Sequence, residues 1–125
     1  MKRKFRLNRL TDFKRVRRLG KSYAHPLVLL ITNPNQLPQA RVGIITSKAL
    51  GNAVTRNRIR RRLRGCMDEW LPSLTPGWDL ILIGRHGIGS ADFGQIHIAV
   101  AGLLERAGIV DVEHNTNATA NRLSQ

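Results

Sequence analysis

The residues of this chain that could do chemistry are four histidines, one cysteine and one strongly patterned set of arginines. His25, His86, His97 and His114 are scattered, and none stands at metal-ligand spacing from another histidine or from Cys66. A nuclease working alone would need clustered carboxylates for magnesium or an acid–base pair. Residues 1–64 hold only Asp12, which suits the first turn of a helix. Gly84, Gly87 and Gly89 match no phosphate-cradling motif. No catalytic residue and no metal site is therefore expected on the protein. The arginines are another matter. From Arg56 to Arg64, six of nine residues are arginine and none is acidic. Each guanidinium is a planar fork of donors that matches phosphate oxygens and stacks on bases. Gripping a polyanion is the chemistry these residues support.

A basic run can be a solvated tail, so periodicity has to decide what positions it. At roughly 100° per residue, Ile59, Leu63, Cys66, Met67 and Trp70 share an arc about 100° wide. Arg56, Asn57, Arg60, Arg61 and Arg64 occupy the next arc, while Arg58 and Arg62 project to the other side near Glu69. The stretch is thus an amphipathic helix, docked by its apolar stripe and free on its basic face. Only Arg64 with Asp68 makes a good i,i+4 ion pair, which leaves the other arginines uncompensated.

Composition agrees. Residues 1–64 carry 18 basic against 1 acidic side chain, and residues 65–125 carry 3 against 7, for a net charge of +13. Such a surface repels itself until counter-charge arrives, so nucleic acid is the leading partner. No apolar run approaches the roughly 20 residues of a membrane span, and MKRKFRLNRL lacks the apolar stretch of a signal peptide. A membrane partner is not expected, and a single cysteine suits a reducing, cytoplasmic setting. The 125 residues make one domain. Its expected division is a basic arm over 1–10, loose without its partner, an RNA-binding domain over 11–108, and a polar, disordered tail over 109–125.

In chain order, Thr11 offers an N-cap to a short helix that Gly20 stops, with Phe13 and Val16 on one face. Phe13 is either core or an open stacking surface. A short strand is suggested around Ser22 to His25. Leu27 to Ile31 and Arg41 to Ser47 read as strands and make a plausible antiparallel hairpin. Asn52 caps the long helix and Pro72 closes it. Trp78 to Gly84 is a third clear strand, which completes a βαβ unit beside that hairpin. A last helix starts after Ser90, with Phe93, Ile96, Val100, Leu103 or Leu104, and Ala107 at helical spacing, and ends at Gly108. The Asn117-Ala118-Thr119 triplet matches a glycosylation pattern by chance.

The run TSKALGNAVTRNRIRRRLR, spanning Thr46 to Arg64, resembles the signature of the bacterial ribonuclease P protein subunit family. The likeness extends from Leu10-Thr11-Asp12-Phe13 through Arg41-Val42-Gly43 to the strand at Trp78 and the closing helix. It implies an α+β fold, a small α/β sandwich of order α-β-β-(β)-α-β-α. Its mixed sheet would carry a left-handed βαβ crossover, against the usual right-handed rule. It also implies an accessory subunit of a ribonucleoprotein endonuclease that removes the 5′ leader of precursor tRNA. Catalysis would lie on the ribonuclease P RNA, which would bind the magnesium. By motif position, Arg56, Asn57, Arg60, Arg61, Arg64 and Lys48 would face that RNA, while Phe13, Arg17 and Ile31 would line a leader-binding cleft. The family often has aromatics where Arg17 and Ile31 stand, and a lysine pair where Lys48-Ala49 stands, which implies leader binding by charge more than by stacking. Without RNA the protein is expected to be a monomer. The alternative is a general or ribosome-associated RNA-binding module of the same topology with no part in cleavage.

Overall fold

The computed structural model describes residues 1–110. Their element order is α1 (Leu10–Leu19), β1 (Lys21–Ala24), β2 (Val28–Pro34), β3 (Arg41–Ile45), α2 (Ala53–Trp70), β4 (Trp78–Gly84) and α3 (Phe93–Ala107). The class is the expected mixed α+β, and one four-stranded sheet runs in the order β1-β2-β4-β3. β2 pairs antiparallel with β1 and with β4, and β4 pairs parallel with β3.

This order corrects the expected hairpin: β2 and β3 are not neighbours, because β4 lies between them. The physical reason is in β4 itself. Leu80, Ile81, Leu82 and the half-buried Ile83 form a continuous apolar run that demands cover on both faces and a partner on each edge, so it takes a central place. The β2–β3 loop, anchored by Asn35 N–H donating to Gly77 O at 2.9 Å, spans the resulting gap of about 10 Å.

Alternation of side chains divides the sheet into two faces. Val28, Leu30, Val42, Leu80 and Leu82 join the stripe of α2 and the buried face of α3 in the larger core. Ile31 and Ile81 join Leu7 and Val16 in a smaller core under α1. Ile59, Leu63, Cys66, Met67 and Trp70 are all buried as expected, and Asn52 caps α2 by accepting from Thr55 N–H at 2.9 Å. α2 ends at Trp70, just before Pro72 as expected, and Pro72 lies in the 3-10 turn Leu71–Ser73 that follows, where proline has no needed N–H to lose. α3 begins with a capping box between Asp92 and Gln95, and Phe93, expected on the buried stripe, is 42% exposed at its start.

Three boundaries differ from expectation. α1 starts at Leu10 with Arg9 before it and no side-chain cap, so Thr11 lies inside the helix. Tertiary contacts, described below, hold this end instead of a cap. Gly20 does stop α1, turning the backbone extended at the C-cap, and only glycine fits there, because a Cβ would lie 2.3 Å from Val16 O and 2.6 Å from Ile31 Cγ2. The arm is not loose: Leu7 is buried, its N–H donates to Val42 O at 2.9 Å, and Arg6 bridges Val42 along the β3 edge. At the other end Ile109 and Val110 are buried, Val110 bridging Leu74, so packing continues past Gly108. The polar tail from Asp111 and the triplet at Asn117 lie outside the described residues.

Candidate nucleic-acid interface

The basic face of α2 is where periodicity places it. Val54, Asn57, Arg60, Arg61 and Arg64 line one open surface hollow, and Asn57, Arg61 and Arg64 are exposed. Arg60 is held in place: its Nη1 donates to Asn57 Oδ1 at 2.6 Å and its Nη2 to Thr46 Oγ1 at 2.7 Å. That fork ties α2 to the end of β3 and leaves further guanidinium donors free. Arg56 is half-buried, with its Nε turned away from solvent and unpaired. Lys48 is exposed in the 3-10 turn Lys48–Leu50 that leads into α2. Arg62 stands off this face and donates to Ala91 O at 2.8 Å, a structural bond between α2 and the α3 lead-in.

The expected Arg64–Asp68 pair is absent. Asp68 instead meets the amino group of Met1 at 3.3 Å, which draws the arm against α2. Arg64 is thereby left to a second hollow, which it lines with Arg3, Arg6, Asn8, Phe13 and Gly43. Arm, α1, β3 and α2 so share one cationic rim.

On the α1 face the sheet carries three cross-strand rows, read from the register. α1 crosses the middle row, Ile31–Ile81–Gly43. Phe13 lies so close over Gly43 that a Cβ there would come within 2.5 Å of its ring. One flank of α1 is locked to the row Asn33–Asp79–Arg41. Asp79, 0% exposed, accepts from Arg41 Nε at 2.9 Å and Nη2 at 2.8 Å, from Asn35 Nδ2 at 2.8 Å, and from Arg15 of α1. Asp12 meets Arg15 and Arg41, each at 3.5 Å. Burial by itself would push the Asp79 carboxyl up. The hydrogen bonds from Arg41, Asn35 and Arg15 outweigh it and hold the group below its ordinary value, and Arg41 is raised in turn.

The third row, Leu29–Ile83–Ile45, lies beyond the other flank of α1 and is only half-buried. On a projection at about 100° per residue, that flank carries Leu10, Lys14 and Arg17, all exposed. The result is a half-buried apolar row of the sheet bordered on the α1 side by exposed cations. Ile31, assigned to a cleft lining, is not part of it: at 5% exposure it lies under α1, and the half-buried positions are its neighbours in the next row. Parity within WDLILIG could have pointed to Ile83, and an aspartate in so apolar a strand could have pointed to a buried, paired carboxylate at Asp79.

Other reactive groups lie elsewhere. Cys66 is buried, and burial, then the charge of Glu69, pushes its thiol up to about 11, which suits core packing and not nucleophilic attack. His97 meets Glu69 at 2.6 Å between α2 and α3, close to the Trp70 and Phe93 rings. No group of three or more potential metal ligands occurs among the described residues. Asp12 and Asp79, the two carboxylates of the α1 face, are engaged by guanidinium groups, so this donor set does not fit magnesium. No helix among the described residues is long and apolar enough to cross a membrane.

The family model described as Ribonuclease P matches residues 1–108. The ribonuclease P protein component of Roseiflexus sp. (strain RS-1) is 40% identical over 111 residues, covering 88% of this chain and 91% of the relative. That of Herpetosiphon aurantiacus is 41% identical over 107 residues, covering 86% and 87%. Among solved structures, the Staphylococcus aureus RNase P protein superposes with a TM-score of 0.78 at 31% identity, covering 85% of this chain and 97% of that one. The Thermotoga maritima RNase P protein superposes with a TM-score of 0.75 at 25% identity, covering 81% and 96%.

Proposed function

This chain belongs to the bacterial ribonuclease P protein family, and from that membership we propose that it grips RNA at two places while its RNA partner cuts. The family serves 5′-end maturation of tRNA, and a protein component of this ribonuclease works with an RNA partner. The basic face of α2, with Arg56, Asn57, Arg60, Arg61 and Arg64, and Lys48 beside it, contacts the catalytic RNA. The groove beside α1 takes the 5′ leader of precursor tRNA, with Arg17 and Phe13 on its wall and Leu29, Ile83 and Ile45 as its floor. The bond is broken on the RNA, where magnesium is held. The net charge of +13 favours a monomer until RNA neutralises it.

One observation carries this reading: the exposed guanidinium groups of α2, gathered around one open hollow, have no acidic partner among the described residues. Reconstitution tests it. The protein alone is expected to leave precursor tRNA intact, and with the catalytic RNA it is expected to restore cleavage at low magnesium. Leader-bearing substrate should bind the complex more tightly than leaderless substrate. Cleavage by the RNA-free protein would overturn the division of labour. Equal affinity for both substrates would remove the groove from it.

Arg61→Ala and Arg64→Ala are each expected to weaken binding to the catalytic RNA by roughly fivefold or more while stability stays within about 0.5 kcal/mol. Arg60→Ala should lower both, since it also releases the tie from α2 to Thr46. Filter-binding titrations beside thermal melts check this. A large stability loss in Arg61→Ala or Arg64→Ala would make that arginine structural instead.

A further inference from the structure

The hollow on α2 has a hydrogen-bonding polarity that its charge alone does not give. Arginine side chains only donate, so whatever Arg60 bonds to must accept. Its two bonds go to Asn57 Oδ1 at 2.6 Å and Thr46 Oγ1 at 2.7 Å. The first of these decides which way round the Asn57 amide lies. Oδ1 turns to Arg60, and Nδ2 with its two hydrogens is the end left for a ligand. Among the side chains lining the hollow, Asn57 Oδ1 is the only acceptor: Val54 has no polar side-chain atom, and Arg60, Arg61 and Arg64 accept nothing. With that oxygen taken, the lining side chains offer N–H groups alone. Such a lining suits the oxygens of an RNA backbone, which only accept, and offers nothing to the amino groups of bases.

The residue that holds Arg60 in this pose lies outside the helix. Thr46 directly follows β3, 14 positions before Arg60, and is only 9% exposed. A free arginine loses rotamer freedom when it closes on a phosphate, and a fork already tied to the sheet has given up much of that freedom in folding.

We propose that Thr46, although itself buried, is a positioning residue for RNA binding: its hydroxyl sets the Arg60 fork, and through it the donor-only face that receives backbone phosphates. This rests on the reading of α2 as the surface for the catalytic RNA, and the experiment separates the two. Thr46→Val, Thr46→Ser, Arg60→Ala, Asn57→Asp and the double variant Thr46→Val/Arg60→Ala are titrated with the catalytic RNA and melted alongside. Thr46→Val keeps the shape and loses the acceptor. It should weaken RNA binding about fivefold, the size of one exposed charge contact, while the thermal midpoint moves by about 5 °C or less. Thr46→Ser keeps the oxygen and should restore wild-type affinity. In the Arg60→Ala background, Thr46→Val should weaken binding no further, since no fork remains to be set. Asn57→Asp still accepts from Arg60 but loses both outward hydrogens, so it should bind at least as weakly as Thr46→Val. If Arg60→Ala weakens binding and Thr46→Val does not, the positioning role is wrong and the α2 surface stands. Wild-type affinity in Arg60→Ala would also overturn the role; if Arg61→Ala and Arg64→Ala bind normally as well, the surface reading fails with it. Equal losses from Thr46→Val with and without Arg60, no recovery in Thr46→Ser, or unchanged affinity in Asn57→Asp would each overturn the assignment. So would an affinity loss that merely follows a collapse of the thermal midpoint.

Discussion

Asp79→Ala is expected to destabilise the protein by about 3–5 kcal/mol, a large share of the roughly 5–15 kcal/mol that holds a domain folded. The carboxylate is wholly buried in β4, and Arg41, Asn35 and Arg15 all donate to it. Removing it leaves two guanidinium groups, 20% and 29% exposed, with only Asp12, 3.5 Å from each, as counter-charge. Asp79→Asn keeps the shape and loses the charge, so a smaller loss is expected. Urea denaturation measures both. The same group makes stability depend on acid. Its folded-state pKa is held below the ordinary 3.8, so its contribution is complete above that value and fades as pH falls through the lower, folded-state one. Wild type should therefore lose stability in strong acid more steeply than Asp79→Asn. Matching acid curves, or an Asp79→Ala loss under about 1 kcal/mol, would mean that the network contributes little. The consequence reaches the proposed function, because Arg15 is the side chain through which α1 is tied to this carboxylate, and α1 borders the half-buried row proposed to take the leader.

Leu63→Ala should cost about 2–5 kcal/mol for a different reason, the cavity left in the larger core. Leu63 is 0% exposed and shares that core with Ile59, Met67, Leu80 and Leu82. It is wholly buried on the apolar arc beside the arginines and reaches no solvent, so affinity of the folded fraction for the catalytic RNA should hardly change. Chemical denaturation and RNA titration at a temperature where the variant is folded check the two halves. Weakened RNA binding with intact stability would place Leu63 on the wrong side of the helix.

Periodicity made α2 legible before any coordinates. A buried stripe and a free basic face at 3.6 residues per turn depend only on neighbours within the helix, and Asn52 caps it from the adjacent turn. The strands were legible for the same reason, as apolar runs between prolines and asparagines. Their order was not. Whether β4 lies beside or between β2 and β3 depends on how much cover its two faces need, which is a property of the whole sheet. The Asp68 assignment failed similarly: the helix geometry offered Arg64, but the folded arm brings the Met1 amine to the same carboxylate.

By itself, then, the sequence determined that one face of one helix would be basic, exposed and largely without acidic partners, because charge and helical spacing are local. Where α1 lies across the sheet, and hence that Ile31 is covered while Leu29, Ile83 and Ile45 are left half-buried, only the tertiary structure decided. That placement follows from Arg15 and Arg41 meeting on Asp79, residues as far as 64 positions apart that no local pattern connects.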